Sequence, residues 1–444
     1  MRKYFGTDGI RGHVGQGPIT ADFCVRLGRA AGAVLGAGHV RPKVLIGKDT
    51  RLSGYMLESA MEAGLSAAGV DVVLLGPMTT PAVAHLTLSE GAQAGVVISA
   101  SHNPHHDNGI KFFSASGEKL PDSVELEIES ALEQPFETVA PERLGRAARL
   151  ENAGQRYVDY CLNTLQQPLT ALQGKKVVLD CAHGAGYRVG PALLSRLGVD
   201  LQLIGSQPDG FNINAGCGAT DLKLLTATVT AEGADLGVAL DGDGDRLMLV
   251  TRSGRVVDGD DMIYLLASRW QSKGWLRGAV VGTAMTNFGI EQAIGALGLE
   301  FERAAVGDRY VLERMKAVGS NLGGEASGHV LCLDRATTGD ALVTALAVFE
   351  ALEGRVEELD QALAGLQRLP QQTVNVRLKD GDRSRVNAPE VQAARAEVEG
   401  QLAGRGRVVL RPSGTEPLLR VTVEGPDAGE VESLAQRLAA VVAG

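Results

Sequence analysis

The chain is 444 residues long, more than a single hydrophobic core serves, so several domains are expected. Aromatic residues make up only 4%, which leaves no stacking platform for single-stranded nucleic acid, and a net charge of −10 opposes loose binding to nucleic acid or anionic membrane. No stretch approaches eighteen consecutive apolar residues, so no membrane span is expected. The scattered cysteines, Cys24, Cys161, Cys181, Cys217 and Cys332, form no C-x-x-C pair and read as buried thiols of a reducing compartment. The opening MRKYFGTDGIRG lacks the apolar stretch of a signal peptide, and the expected location is the cytoplasm.

In chain order, residues 1–20 are Gly-rich and polar. GTDGIRG (6–12) reads either as a loop of close backbone approach, with Arg11 able to hold an anion, or as a flexible terminus with a turn. A strand over 44–46 runs into Asp49-Thr50-Arg51, and a helix follows with Ser53 as its N-cap. A strand over 72–75, a short helix opened by Pro81 and a strand over 94–99 lead to Ser101, inside VVISASHNPHHDNGIKFF (96–113). This β–α–β–α–β order predicts a mostly parallel sheet. Residues 135–154 are charged and Pro/Ala-rich and read as a linker helix.

The pattern then restarts. Strands over 176–180, 201–204 and 236–240 alternate with helices over 191–197 and 221–231, and the last strand ends in DGDGDR (241–246). A third round has a strand over 279–282, helices over 289–297 and 308–317, the loop GEASGH (324–329) and a helix over 340–352. From about 369 the character changes. Helices over 389–402 and 429–442 flank strands over 407–410 and 418–424, with RPSGTEP (411–417) between the strands. The expected fold is therefore α/β: three successive domains with mixed, mostly parallel sheets (1–150, 151–255, 256–368) and a smaller C-terminal α+β domain (369–444).

The acidic loop is the most specific local signal. Asp241, Asp243 and Asp245 stand on a glycine-spaced turn delivered by an apolar strand. Carboxylates ~4–6 Å apart repel by on the order of a few kcal/mol per pair at intermediate dielectric, and a hard cation such as Mg²⁺ removes that cost. An EF-hand fails here, because the sixth loop position is Arg246 and the twelfth Arg252. Arg411, Ser413, Gly414, Thr415 and Arg420 offer the guanidinium, hydroxyl and amide donors that suit a phosphate. Glu325, Ser327 and His329 are hydrogen-bonding groups of the kind that grip sugar hydroxyls, although a single histidine beside glycine is more often structural. VGDR (306–309) looks like a helix start with Asp308 as its cap. There is no G-x-S-x-G elbow, Walker P-loop or zinc pattern.

Taken together, GTDGIRG, SASHNP with DNGIKFF, DGDGDR, GEASGH and RPSGTEP resemble, in order and spacing, the α-D-phosphohexomutase superfamily over nearly the whole chain. FNINAGCGATD (211–221), VGDRYVLE (306–313), TTGDA (337–341) and the SGTEP form of the last loop favour its glucosamine branch over the phosphomannomutase/phosphoglucomutase branch. The resemblance implies four domains around a central cleft, with one loop from each lining it. It implies that Ser101 is carried as phosphoserine, and that Asp241, Asp243 and Asp245 hold one Mg²⁺ with an oxygen on Ser101. Glu325 and Ser327 would grip sugar hydroxyls, and Arg411, Ser413, Gly414, Thr415 and Arg420 would bind the non-reacting phosphate. Arg11, His102, Lys111, Arg246 and His329 would surround the reacting phosphoryl group.

The implied reaction interconverts glucosamine 6-phosphate and glucosamine 1-phosphate through a bound glucosamine 1,6-bisphosphate, feeding UDP-N-acetylglucosamine and cell-wall precursor synthesis. The implied partner is a small sugar phosphate, with no nucleic acid and no membrane, and the chain acts as a monomer or homodimer. Lys111, its pKa lowered in a basic pocket, is the first choice for moving the hydroxyl proton, and His102 or His329 the second. One rival treats Asp241 as a haloacid-dehalogenase-type nucleophile, which the acid at 245 opposes; another is a non-catalytic phosphosugar sensor.

Overall fold

The computed structural model describes residues 2–378, 382–412 and 417–444. Three α/β units are followed by a smaller α+β unit, each built on its own sheet. The first sheet runs, edge to edge, Ile10–His13, Asp107–Ser114, Ala94–Ile98, Lys43–Lys48, Asp71–Pro77 and Ala147–Arg149. Its later strands pair in parallel, whereas Asp107–Ser114 is antiparallel to both neighbours. The sheet is mixed because Pro104 and the residues after it turn the chain straight back beside the strand it has just left.

Three local expectations are corrected here. Residues 10–13 are a strand, with Arg11 opposite Gly109, so GTDGIRG is no flexible terminus. Gly9 makes this possible at φ +78°, since a Cβ there would lie 2.4 Å from the Ile110 carbonyl oxygen. The stretch 135–154 is not a linker helix: Ala147–Arg149 pairs in parallel with Asp71–Pro77 at the sheet edge, and the helix Ala153–Asn163 starts only afterwards. Pro135 and Pro141 explain the failure, as each restricts the residue before it and lacks the amide a helix needs. Ser53 is not an N-cap: the helix Leu52–Ala67 follows Arg51, and Ser53 Oγ instead accepts from Asn108 Nδ2 at 2.8 Å.

The second sheet runs Val256–Val257, Leu247–Thr251, Leu236–Leu240, Lys176–Asp180, Asp200–Ile204, and the third runs Phe301–Ala304, Val280–Thr283, Leu322–Gly324, Val330–Cys332. In each, the apolar strand continues into a polar loop at its carboxyl end, where open α/β sheets bind ligands. The fourth sheet, Gln371–Arg377, Leu418–Glu424, Arg407–Pro412, is antiparallel throughout.

One hydrophobic core runs through the first three units, joining Leu45 and Phe113 to Tyr157, Leu240, Trp270 and Phe349. At its centre lies the helix Ala341–Ala351, buried on every residue and capped by Asp340, whose carboxylate accepts from Leu342 N and Val343 N at 3.0 Å. A helix with no polar face must sit between layers, and this one packs on the helices Gly259–Lys273 and Ala153–Asn163. All five cysteines are free and buried. Among the described residues no helix is long and apolar enough to cross a membrane.

Candidate active site

Ser101 lies just past the strand Ala94–Ile98 and adopts φ +52°, a left-handed conformation that opposes a side chain and persists only where surroundings enforce it. Here they do. Ser101 N donates to Ser99 Oγ at 2.9 Å, and Ser99 Oγ donates to Asp49 Oδ2 at 2.6 Å. Arg51, wholly buried, pairs with Asp49 through Nε at 2.7 Å. Its two terminal nitrogens donate to the carbonyl oxygens of Ser101 at 3.0 Å, Asn103 at 2.8 Å and Asp107 at 3.1 Å, and to that of Pro104. Asn214, from the second unit, adds Nδ2 to the Ser101 carbonyl oxygen at 2.9 Å. With its backbone held from both sides, Ser101 donates its hydroxyl to Asp241 Oδ2 at 2.6 Å.

The strand Leu236–Leu240 delivers the acidic loop against that serine. Gly242 is needed for the approach, because a Cβ there would come within 2.5 Å of the Ser101 carbonyl oxygen. One carboxylate oxygen each from Asp241, Asp243 and Asp245 falls within 4.8 Å of the others. Asp241 Oδ1 accepts from the backbone amides of Asp245 and Arg246, both at 3.1 Å. Asp243 Oδ1 and Asp245 Oδ1 are buried, and among the described residues neither has a hydrogen-bond partner. Burial, with Asp245 and Asp243 alongside, pushes the Asp241 carboxyl well above the usual carboxylate range. Three crowded carboxylates, two presenting bare buried oxygens, are a donor set for a hard dication such as Mg²⁺.

The neighbouring bases take different states. Lys111 was expected in a basic pocket that lowers its pKa; the structure reverses that expectation. Its Nζ lies 3.0 Å from Asp243, 3.1 Å from Asp8 and 3.7 Å from Asp245. Burial works against its charge, but these carboxylates outweigh burial and the pKa is raised. His329 is likewise opposed by burial and raised by Asp245 and Asp308, whose oxygens lie 3.8 and 3.7 Å from its two ring nitrogens. His102, with Nδ1 3.4 Å from Ser101 Oγ, is pushed down to about 4 by burial and then by Arg246 and Arg11. Of the three, only His102 is shifted toward its neutral form.

The third unit contributes Glu325, whose Oε1 accepts from Gly307 N at 3.1 Å, and an exposed Ser327. Asp308 is the first residue of the helix Asp308–Val318 rather than its cap, which is Gly307, and its carboxylate pairs with Lys119. Arg309 points away to Asp122 and Glu125. On the fourth sheet Arg411 and Arg420 sit directly opposite each other. Burial and then Arg420 lower the Arg411 pKa, while Glu325 raises it. Among the described residues the Nε atoms of Arg11, Arg246, Arg411 and Arg420 are buried and make no hydrogen bond, although Arg246 Nε lies 3.9 Å from Asp245 Oδ1 and Arg11 pairs with Asp8 through its terminal nitrogen. Ser413, Gly414 and Thr415 lie outside the described residues.

Several residues that hold this site were not singled out from the sequence as site residues: Asp49, Arg51, Asn214, Asp8 and Lys119, while Asp308 was read only as a helix cap. Asp49 and Arg51 follow a strand as a D-x-R turn, and Asn214 sits in FNINAGCGATD; both segments were visible, but their convergence on Ser101 was not.

Models of the phosphoglucomutase/phosphomannomutase family match this chain in four parts: α/β/α domain I over residues 2–138, domain II over 155–254, domain III over 258–369 and the C-terminal domain over 374–441. The chain therefore belongs to the phosphoglucomutase/phosphomannomutase family. It is 58% identical over 443 residues to the phosphoglucosamine mutase of Xylella fastidiosa (strain M12), covering 100% of this chain and 99% of that one. A phosphoglucomutase/phosphomannomutase family protein from Burkholderia thailandensis has the same fold, with a TM-score of 0.82 at 24% identity over 99% of this chain and 96% of its own. N-acetylphosphoglucosamine mutase of Aspergillus fumigatus, solved in complex with GlcNAc-6P and magnesium, shares the fold at a TM-score of 0.64 and 20% identity, over 100% and 96% of the two chains.

Proposed function

We propose that this chain is an isomerase interconverting glucosamine 6-phosphate and glucosamine 1-phosphate, through a phosphoserine at Ser101 and a bound glucosamine 1,6-bisphosphate. The observation that carries this reading is the Ser101 hydroxyl 2.6 Å from Asp241, inside a buried carboxylate cluster beside Arg246, whose Nε makes no hydrogen bond and lies 3.9 Å from Asp245. The full-length phosphoglucosamine mutase relative supports the amino sugar as substrate.

The phosphoryl group passes from Ser101 Oγ to O1 of glucosamine 6-phosphate: the Oγ–P bond breaks, the P–O1 bond forms and the O1 proton leaves to a neighbouring base. After the bisphosphate turns around, the 6-phosphoryl group returns to Ser101: the O6–P bond breaks, the P–Oγ bond re-forms, the serine hydroxyl gives up its proton and the departing O6 takes one. The clamp of Arg51 and Asn214 holds the serine in line, and positioning accounts for most of the acceleration in such transfers. Arg11, Lys111 and Arg246 offset the charge of the moving group, and His102 and His329 flank it. Glu325 and Ser327 hold sugar hydroxyls, while Arg411 and Arg420, with Ser413, Gly414 and Thr415, take the other phosphate. Asp241, Asp243, Asp245 and an oxygen on Ser101 would hold a magnesium ion, which would supply further positive charge at the transferring group. We assign the four loops to domains 1–150, 151–255, 256–368 and 369–444, in a cytoplasmic enzyme acting as monomer or homodimer.

The test is direct. The protein, given glucosamine 6-phosphate, Mg²⁺ and a trace of the 1,6-bisphosphate, forms glucosamine 1-phosphate, and peptide mapping finds an acid-stable phosphate on Ser101. No product from protein verified as phosphorylated there would favour a sensor; an acid-labile phosphate on Asp241 would make that residue the nucleophile. Relative kcat/KM for glucosamine, glucose and mannose 6-phosphates measures how far the site selects the amino sugar.

A further inference from the structure

The two carboxylate oxygens of Asp243 stand in different situations. Oδ2 accepts from the Thr80 hydroxyl at 2.7 Å and from Lys111 Nζ at 3.0 Å. Oδ1 is buried and, among the described residues, has no partner. Thr80 also donates its backbone amide to the Asp243 carbonyl oxygen at 2.8 Å. It belongs to the first unit, as the opening residue of the helix Thr80–Ser89, and is 2% exposed. From the opposite side Ala341 N, opening the buried helix Ala341–Ala351, donates to the Gly244 carbonyl oxygen at 3.1 Å. The tip of the acidic loop is thus held by the units before and after its own.

We propose that Thr80 is a positioning residue for the divalent cation, its hydroxyl occupying Asp243 Oδ2 so that the bare Oδ1 is presented to the metal. The inference rests on the assignment of Asp241, Asp243 and Asp245 as cation ligands made above. A carboxylate turns readily about its Cβ–Cγ bond, and a ligand that turns freely loses affinity when it is fixed by binding. Lys111, on a flexible four-carbon stem, can follow either oxygen and also answers to Asp8 and Asp245. The Thr80 hydroxyl sits on the first turn of a buried helix and has no such freedom. Outer partners of this kind are worth about 10–100-fold in metal affinity. The carboxylates of the cation site all come from one unit, but the orientation of Asp243 is set from the unit before it.

Mn²⁺ alone is the probe, with free Mn²⁺ read by electron paramagnetic resonance as it is titrated into the metal-stripped full chain. Thr80→Val, which keeps the branched shape without the hydroxyl, should weaken binding about 10-fold. Thr80→Ser should bind within about two-fold of wild type, since it restores the donor, and metal-free melting of Thr80→Val should stay within a few degrees of wild type. Thr80→Ala serves as a second hydroxyl-free variant should the valine not fold. Wild-type affinity in both hydroxyl-free variants, with Asp243→Asn defective, would overturn the role of Thr80 and leave the ligand assignment standing. Weak binding by Thr80→Ser equal to that of Thr80→Val would do the same, by making shape the determinant. Undiminished binding by Asp243→Asn would instead remove the ligand assignment itself.

Discussion

The units that carry Ser101, the acidic loop and Glu325 share one continuous core, from Leu45 through Tyr157 and Leu240 to Phe349. The unit that carries Arg411 and Arg420 has a separate core, made by residues such as Val391, Leu419, Leu434 and Leu438. It meets the third unit through polar contacts instead. Arg407 donates to the carbonyl oxygens of Ala284 at 2.8 Å and Thr286 at 2.6 Å, and Asn287 exchanges two 3.0 Å hydrogen bonds with the Leu369 backbone. The contrast matches what each part must do. In-line transfer tolerates little misplacement, so its groups sit on a shared, close-packed body. In the proposed reaction a guanidinium pair gripping whichever phosphate is not reacting would need charge and reach more than fixed geometry.

Substitutions should separate the two regions. The largest effect belongs to Ser101→Ala, which should lower kcat by at least about 10⁴-fold while calorimetry still finds glucosamine 6-phosphate bound, because only the covalent step is lost. Loss of binding in equal measure would make Ser101 a structural residue. Next, Arg420→Ala should raise KM by about 10–100-fold with kcat within about threefold, the pattern of a contact present in ground and transition states alike. A parallel fall in kcat would show the fourth unit to be as deeply engaged in transfer as the first three.

Smaller, and back in the shared body, Asn214→Gly keeps the left-handed backbone (φ +59°) and removes the amide on the Ser101 carbonyl oxygen. It should cut kcat about 10-fold with little change in melting temperature, Arg51 still holding the same oxygen. An unchanged kcat would mean that Arg51 alone sets the loop.

The smallest effect tests the seam. Asp260 Oδ2 accepts from Asn287 N at 2.9 Å, and burial, with Asp258 beside it, pushes this carboxyl up to about 7. The unfolded chain ionises it near ~3.9, so between these values the native state holds an extra proton and stability falls as pH rises. Asp260→Asn removes that dependence. The variant should melt a few degrees above wild type at pH 8, with the gap closing by pH 4; a gap independent of pH would contradict the assigned proton.

Much of the secondary structure was legible because its signals are local. The strands Lys176–Asp180 and Leu236–Leu240 and the helix Pro389–Leu402 have the bounds that apolar runs, turn residues and an opening proline imply. The helix Gly259–Lys273 was passed over although Asp258 and Asp261 form a capping box at its start. The strand Ala147–Arg149 had no pattern of its own; it exists because Asp71–Pro77 leaves an open edge beside it.

The site divides in the same way. Sequence alone determined which groups are present: a serine after an apolar strand, aspartates at alternate positions and an arginine-flanked turn, since motif chemistry is written in residue type and spacing. Only the tertiary structure decided their states. Lys111 looked like a base whose pKa is lowered, and became a cation once Asp8, Asp243 and Asp245, from two separate loops, were folded around it. The left-handed Ser101 depends in the same way on Arg51, fifty positions earlier, and on Asn214, more than a hundred later. Electrostatic state and backbone strain are set by distances through space, and the order of residues along the chain does not contain them.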